Sequence, residues 1–237
     1  NINIFKYLYY KNNIMKVHGL SGLANLGNTC YINTCMQILS HTGKLNLILD
    51  NLDYHSLENN NDEKTLDIIL LTEWNNLRLL LWKDNCTICP NRWINTVQQI
   101  SLKKDLELFS GFLQNDVTEF LLFILNSFHD AISKEVNMNL TGEIKTNMDI
   151  LANKCLKAHS DFFKSNYSDI IKYFYGMEVN LIQDLNSVTL TQSYDPFSLM
   201  TLALTKNRNI DLSELLDNHY KEEELGEDNL WENEEKE

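Results

Sequence analysis

GLANLGNTCYINTCMQ, residues 22–37, is the stretch on which the fold and the chemistry of this chain turn. A loop carrying Gly22 and Gly27 delivers Cys30 to the first turn of a helix, which the spacing predicts from Cys30 to Leu39. The leading end of a helix has unpaired N–H groups and the positive end of the macrodipole. A cysteine held there is in a setting that favours the nucleophilic thiolate. Gly27 lets a substrate backbone come close. Asn25 places an amide donor beside the sulfur, where a tetrahedral oxyanion would form. The same residues also suit a plainer role, a buried cysteine opening a core helix with Asn28 or Thr29 as its N-cap.

Outward from this box the chain reads as α+β. Its 237 residues suffice for one large domain or two small ones. Residues 42–62 are polar and read as a loop with one helical turn. Lys64–Trp82 places Leu66, Ile69, Leu70, Leu77, Leu80 and Leu81 at helical spacing, a core helix. Asn85–Asn91, with Pro90, reads as a turn, and Arg92–Lys103 as an amphipathic helix. Asn115–Glu135 is the clearest helix, its buried face Val117, Phe120, Leu121, Ile124, Phe128 and Ile132. Two more helices fall in Thr146–Tyr173. The period then changes to two: Met177, Val179 and Leu181 alternate, a polar turn follows at 184–187, and Val188 and Leu190 alternate again, a β-hairpin. Ser198–Thr205 reads as a third strand, and Asp211-Leu-Ser-Glu214 as the capped start of a short helix.

The string at 22–37 closely resembles the cysteine box of ubiquitin-specific proteases, Gly-Leu-x-Asn-Leu-Gly-Asn-Thr-Cys-Tyr-Met-Asn-Ser-x-Leu-Gln. Gly22, Leu23, Asn25, Leu26, Gly27, Asn28, Thr29, Cys30, Tyr31, Asn33 and Gln37 match, and Ile32, Thr34 and Met36 are mild replacements. A second string, GFLQNDVTEFL at 111–121, resembles that family's Gln-Gln-Asp-Ala-x-Glu-Phe-Leu motif through Gln114, Asp116, Glu119, Phe120 and Leu121. Asn115 and Val117 depart from it. By themselves Asp116 and Glu119 read as acids complementing a helix N-terminus. The resemblance implies a papain-like fold in which Cys30 attacks the carbonyl of ubiquitin's terminal glycine and Asn25 helps form the oxyanion hole. It also implies that Asp116, Glu119 and Gln114 face the arginine-bearing ubiquitin tail, where charge-assisted bonds are strong. In its terms residues 1–21 are a lead-in and 22–173 a helical thumb. Residues 174–220 begin the antiparallel β fingers, and 221–237 are an acidic, disordered tail.

The resemblance also sets negative expectations. Many family members hold zinc in the fingers through two Cys-x-x-Cys pairs. Those positions fall near Gln183 and Asn186, and near Glu232 and Glu235, with no cysteine at either, so no structural zinc and no cofactor are expected. Cys86 and Cys89 form the one Cys-x-x-Cys, without a second pair, and read as plain loop residues. Cys35 reads as core. A thiol protease also needs an imidazole base and an orienting Asp or Asn. The six histidines are His18, His41, His55, His129, His159 and His219, and none lies in the family's late Gly-His-Tyr context. His129 reads as structural. The chain is therefore expected to be the N-terminal part of a longer or split catalytic domain, inactive alone and requiring its C-terminal half. The alternative is a ubiquitin-binding pseudoprotease or scaffold.

Net charge is −13, of which −7 lies in residues 221–237, with nine acids against two bases. Phosphate binding needs clustered Lys and Arg, so nucleic acid is disfavoured as a partner. No run of about 18 apolar residues exists, and no membrane role is expected. An odd count of five cysteines suits a reducing compartment, cytoplasm or nucleus.

Overall fold

The computed structural model describes residues 18–59, 64–184, 186, 188–204 and 209–225. The lead-in to residue 17 and the tail from 226 lie outside the described residues. The chain divides after Pro196 into two compact units.

The first unit is helical around the box. Strand β1 (Gly22–Leu23) precedes α1 (Cys30–Ser40), α2 (Gly43–Asp50), α3 (Tyr54–Asn59) and α4 (Thr65–Lys83). Strand β2 (Thr87–Ile88), α5 (Asn91–Lys103) and a 3-10 turn (Glu107–Phe109) follow. Then come α6 (Val117–Ile132), α7 (Asn147–Phe163), α8 (Asp169–Phe174), β3 (Gly176–Gln183) and β4 (Thr189–Phe197), the last two paired across a short turn. Helix α4 packs on α5 and α6, and α6 also packs on α1 and α8, so the helix that begins at Cys30 rests on α6.

The core between them is aromatic. Trp74 lies 5.9 Å from Trp93 and 6.4 Å from Phe128, ring centre to ring centre. Phe120 stands edge-on to Tyr31 at 5.2 Å and to Phe109 at 5.4 Å. Cys35, Met36 and Leu39 carry α1 into this core. Edge-to-face pairs of this kind add to the gain from burial alone.

Four details of the first unit differ from the sequence reading. Residues 42–59 hold two helices rather than one turn, because Leu45, Ile48 and Leu49 find core to bury against. On α4 the buried stripe is Ile68, Leu70, Leu71, Trp74, Leu77 and Leu81, whereas Ile69 and Leu80 are 46% and 50% exposed. The stripe also takes in two charges: Arg78 bonds Asp50 at 2.6 Å, and Asp67 pairs with Lys104. Apolar count alone therefore drew the face too wide. Helix α6 begins at Val117 and ends at Ile132, because Asp116 caps it and Ser133 turns extended.

The fourth detail is β2, a strand where a turn is expected, paired in parallel with β1 in the register Gly22–Thr87 and Leu23–Ile88. Two-residue strands have no alternation to read, so their pairing is a tertiary event. Approach to β1 is constrained as well. Gly19 has φ +84°, and a Cβ there would meet the Trp82 ring at 2.9 Å, so both backbone and space demand glycine.

In the second unit, α9 (Leu212–His219) is capped by Asp211, whose Oδ1 accepts from the Glu214 N–H at 2.9 Å, as its sequence predicts. Residues 198–204 are not a strand. They pair with no strand among the described residues, and Leu204 is left exposed. A strand is defined by its partner as much as by its side chains. Residue 205 lies outside the described residues.

Candidate active site

The loop between β1 and α1 is tied from three directions. Gly22 N–H donates to the Cys86 carbonyl and Ala24 N–H to the Ile88 carbonyl, both at 2.9 Å. From α1, Asn33 Nδ2 donates to the Ala24 carbonyl at 3.1 Å and Gln37 Nε2 to the Ser21 carbonyl at 2.9 Å. Positions 33 and 37 are four apart, on one helix face, and stitch the incoming strand to the helix. Their place in the box thus has a structural reason that reading for chemistry alone overlooked. Inside the loop, Asn25 Oδ1 accepts from Gly27 N–H (3.2 Å), Thr29 N–H (3.1 Å) and the Thr29 hydroxyl (3.0 Å). Three donors on one oxygen fix the amide's orientation. Its Nδ2 group has no protein partner among the described residues and is free to donate elsewhere.

Gly27 and Asn28 both take positive φ, +105° and +49°. Two such residues in succession reverse the chain so that α1 starts at Cys30. Asparagine is among the few non-glycine residues that tolerate this region. Thr29 occupies the N-cap position but makes no side-chain cap, and the first turn of α1 holds no acid. The plain capping role for Asn28 or Thr29 is therefore not what the structure shows. The leading N–H groups stay open beside the exposed Cys30, a place suited to a negatively charged atom. Cys35, one turn on, is buried, and burial pushes its thiol up to about 11.

Asp116, Glu119 and Gln114 are all exposed. Asp116 lies at the N-cap rather than within the helix. Its Oδ1 accepts from the Thr118 and Glu119 N–H groups at 2.7 and 3.1 Å. The helix-terminus role read from its spacing is thus present, and the second carboxylate oxygen remains. Asn115, the departure from the family string, donates from Nδ2 to the Leu108 carbonyl (2.8 Å), the Leu113 carbonyl (3.1 Å) and the Tyr31 hydroxyl (3.2 Å). It therefore shapes the approach to α6 and touches the residue after Cys30. Burial pushes the Tyr31 phenol up, so it stays neutral and able to accept.

No histidine of the first unit hydrogen-bonds to Cys30. His41 is occupied at the end of α1, with Nε2 on the Gly19 carbonyl at 3.0 Å and its ring against Trp82. His129 is buried, with Nδ1 bonded to Ser168 Oγ at 2.7 Å. Among the described residues no group of three or more His, Cys, Asp or Glu side chains is placed to hold a metal ion, and no helix is long and apolar enough to cross a membrane. The positions near Glu232 and Glu235 lie outside the described residues.

An exposed thiol at an open helix N-terminus, after a loop whose Asn25 amide is fixed, defines a candidate cysteine-nucleophile site. Comparison with known proteins gives the lineage. The family model described as ubiquitin carboxyl-terminal hydrolase matches residues 21–215, and the chain belongs to that family. It is 28% identical over 221 residues to ubiquitin carboxyl-terminal hydrolase Usp2 of Drosophila melanogaster, covering 91% of this chain and 22% of the relative. It is 26% identical to ubiquitin carboxyl-terminal hydrolase 12 of Saccharomyces cerevisiae, covering 85% of this chain and 16% of that one. The chain thus spans about a fifth of the length of these relatives. Among solved structures, a chain of the SAGA Ubp8/Sgf11/Sus1/Sgf73 DUB module matches with a TM-score of 0.56 and 21% identity, over 89% of this chain and 42% of that chain. The fold is accordingly papain-like, mixed helix and strand.

Proposed function

We propose that this chain carries the nucleophile half of a cysteine-type deubiquitinase, which hydrolyses the bond after ubiquitin's C-terminal glycine. The observation that carries the reading is the exposed Cys30 at the uncapped head of α1, within a box that resembles the family's. In this mechanism the Cys30 thiolate adds to the glycine carbonyl. Asn25 Nδ2 and the leading N–H groups of α1 steady the oxyanion. Asp116, Glu119 and Gln114 bind the arginine-bearing tail. The mechanism also requires an imidazole that takes the thiol proton and returns it to the leaving amine; His41 and His129 are engaged elsewhere, on the Gly19 carbonyl and on Ser168. In this reading residues 22–173 serve as the thumb and 174–220 as the start of the fingers. The partner is ubiquitin or a ubiquitinated protein. All five cysteines are free, which suits a reducing compartment such as cytoplasm or nucleus.

Among the described residues of the first unit no histidine hydrogen-bonds to Cys30, which favours a second reading, a scaffold that binds ubiquitin without cutting it. Ubiquitin bearing a C-terminal electrophile separates the two in the intact protein. The protease reading expects a covalent adduct that Cys30→Ala abolishes while ubiquitin binding persists. Binding without an adduct selects the scaffold. Neither binding nor adduct refutes both.

A further inference from the structure

Two side-chain ties join the nucleophile loop to the segment that leads into α6, one on each side of Cys30. Before the cysteine, Asn28 Nδ2 donates to the Phe112 carbonyl at 3.0 Å. After it, the Tyr31 hydroxyl accepts from Asn115 Nδ2 at 3.2 Å. The Phe112 ring also lies over Gly27, 3.8 Å from where a Cβ would stand. The bonded residues are separated by 84 positions in the chain. Residues 110–116 themselves form no regular element, and Phe112 and Leu113 are exposed. Apart from the ties at its two ends, Ser110 on the Glu107 carbonyl and Asp116 on the first N–H groups of α6, the segment is held by Asn115 on its two local carbonyls and Gln98 Nε2 on the Gly111 carbonyl at 3.1 Å. Asn28 also explains its own left-handed backbone. Glycine would suit φ +49° at least as well, so what the Asn28 side chain adds is the bond to Phe112.

We infer that Asn28 and Asn115 are positioning residues that brace residues 110–116 against the nucleophile loop, so that occupancy at Asp116 and Glu119 is felt at Cys30. The inference rests on the tail-binding reading above and adds a regulation of the same site. A tail docking on the carboxylates shifts the 110–116 segment. The paired ties carry that shift to Asn28 and Tyr31, the neighbours that fix where Cys30 sits. Two sites coupled through one shared element have reciprocal energetics, so a correctly set Cys30 loop also tightens the tail site.

The test uses Asn28→Gly, which keeps the positive φ and removes only the amide, and Tyr31→Phe, which removes only the acceptor oxygen. Amide exchange is the first readout. Asn28→Gly is expected to speed exchange at Ser110 and Thr118, whose N–H groups are bonded at the two ends of the segment, as well as around residue 28. Faster exchange confined to residues 24–29 overturns the brace. The second readout is alkylation of Cys30 by iodoacetamide, with and without a ubiquitin-tail peptide lacking its terminal glycine, so that the thiol is not covered. In the wild type a saturating peptide is expected to change the alkylation rate. In the double variant the peptide should still bind through Asp116 and Glu119, but the rate response should vanish. A response that survives in the double variant overturns the inference. If the peptide does not bind the wild type, the tail-binding reading fails, while the exchange measurement still decides whether the brace exists.

Discussion

His129 shows how a single residue type carries different meanings in different surroundings. It lies in α6 beside Asp130, and in a cysteine-protease candidate a histidine invites a catalytic role. The structure seals it against Ser168, and burial pushes its imidazole below the ordinary value of 6.5, with Lys64 adding to the effect and Asp130 opposing it. The unfolded chain then binds this proton more readily than the folded one. Stability from this site is complete above about pH 6.5 and falls as pH drops below it. Thermal midpoints between about pH 7.5 and 5.5 should therefore decline less steeply in His129→Gln than in the wild type. An equal decline would show that the residue does not titrate in that window. Asn25 makes the complementary point: its oxygen organises the loop, which leaves its nitrogen for the proposed oxyanion contact.

At the scale of elements, the start of α6 combines two roles in one carboxylate. Asp116 caps the helix through Oδ1, and the same group is proposed to meet arginines. Substitution separates them, because asparagine caps about as well as aspartate whereas alanine does not. Asp116→Ala is expected to lower stability by about 1 kcal/mol, read from the urea midpoint. Asp116→Asn should leave that midpoint near the wild type. Both should weaken binding of the ubiquitin tail. An Asn variant that binds the tail as well as the wild type would restrict Asp116 to capping. Helix α1 combines roles in a similar way, with Asn33 and Gln37 on one face holding β1 and Cys35, Met36 and Leu39 on the other filling the core.

At the scale of the molecule, the aromatic cluster under α1 sets the platform for the site. Phe120 is fully buried and touches Tyr31 edge-on. Phe120→Ala should cost about 3–5 kcal/mol, from lost burial and the cavity left behind. Because Tyr31 borders that cavity, the variant should also loosen Cys30, seen as altered iodoacetamide reactivity at a temperature where the fold persists. Unchanged stability would mean that α6 does not support the nucleophile helix in this way.

The sequence alone determined the cysteine box that marks the family, the long helices and the change from helix to strand near residue 176. Those features are written in local spacing: a glycine-bearing loop before Cys30, apolar residues three and four apart in α4 and α6, alternation in β3. Only the tertiary structure decided the β1–β2 pairing, the long-range hydrogen bonds of Asn28 and Asn115, the helices in 42–59 and the lack of a strand at 198–204. Each of these depends on a partner distant in the chain or missing from its neighbourhood. Periodicity records which face a segment wants to bury, whereas hydrogen bonds across 84 residues exist only once packing has brought the two segments together.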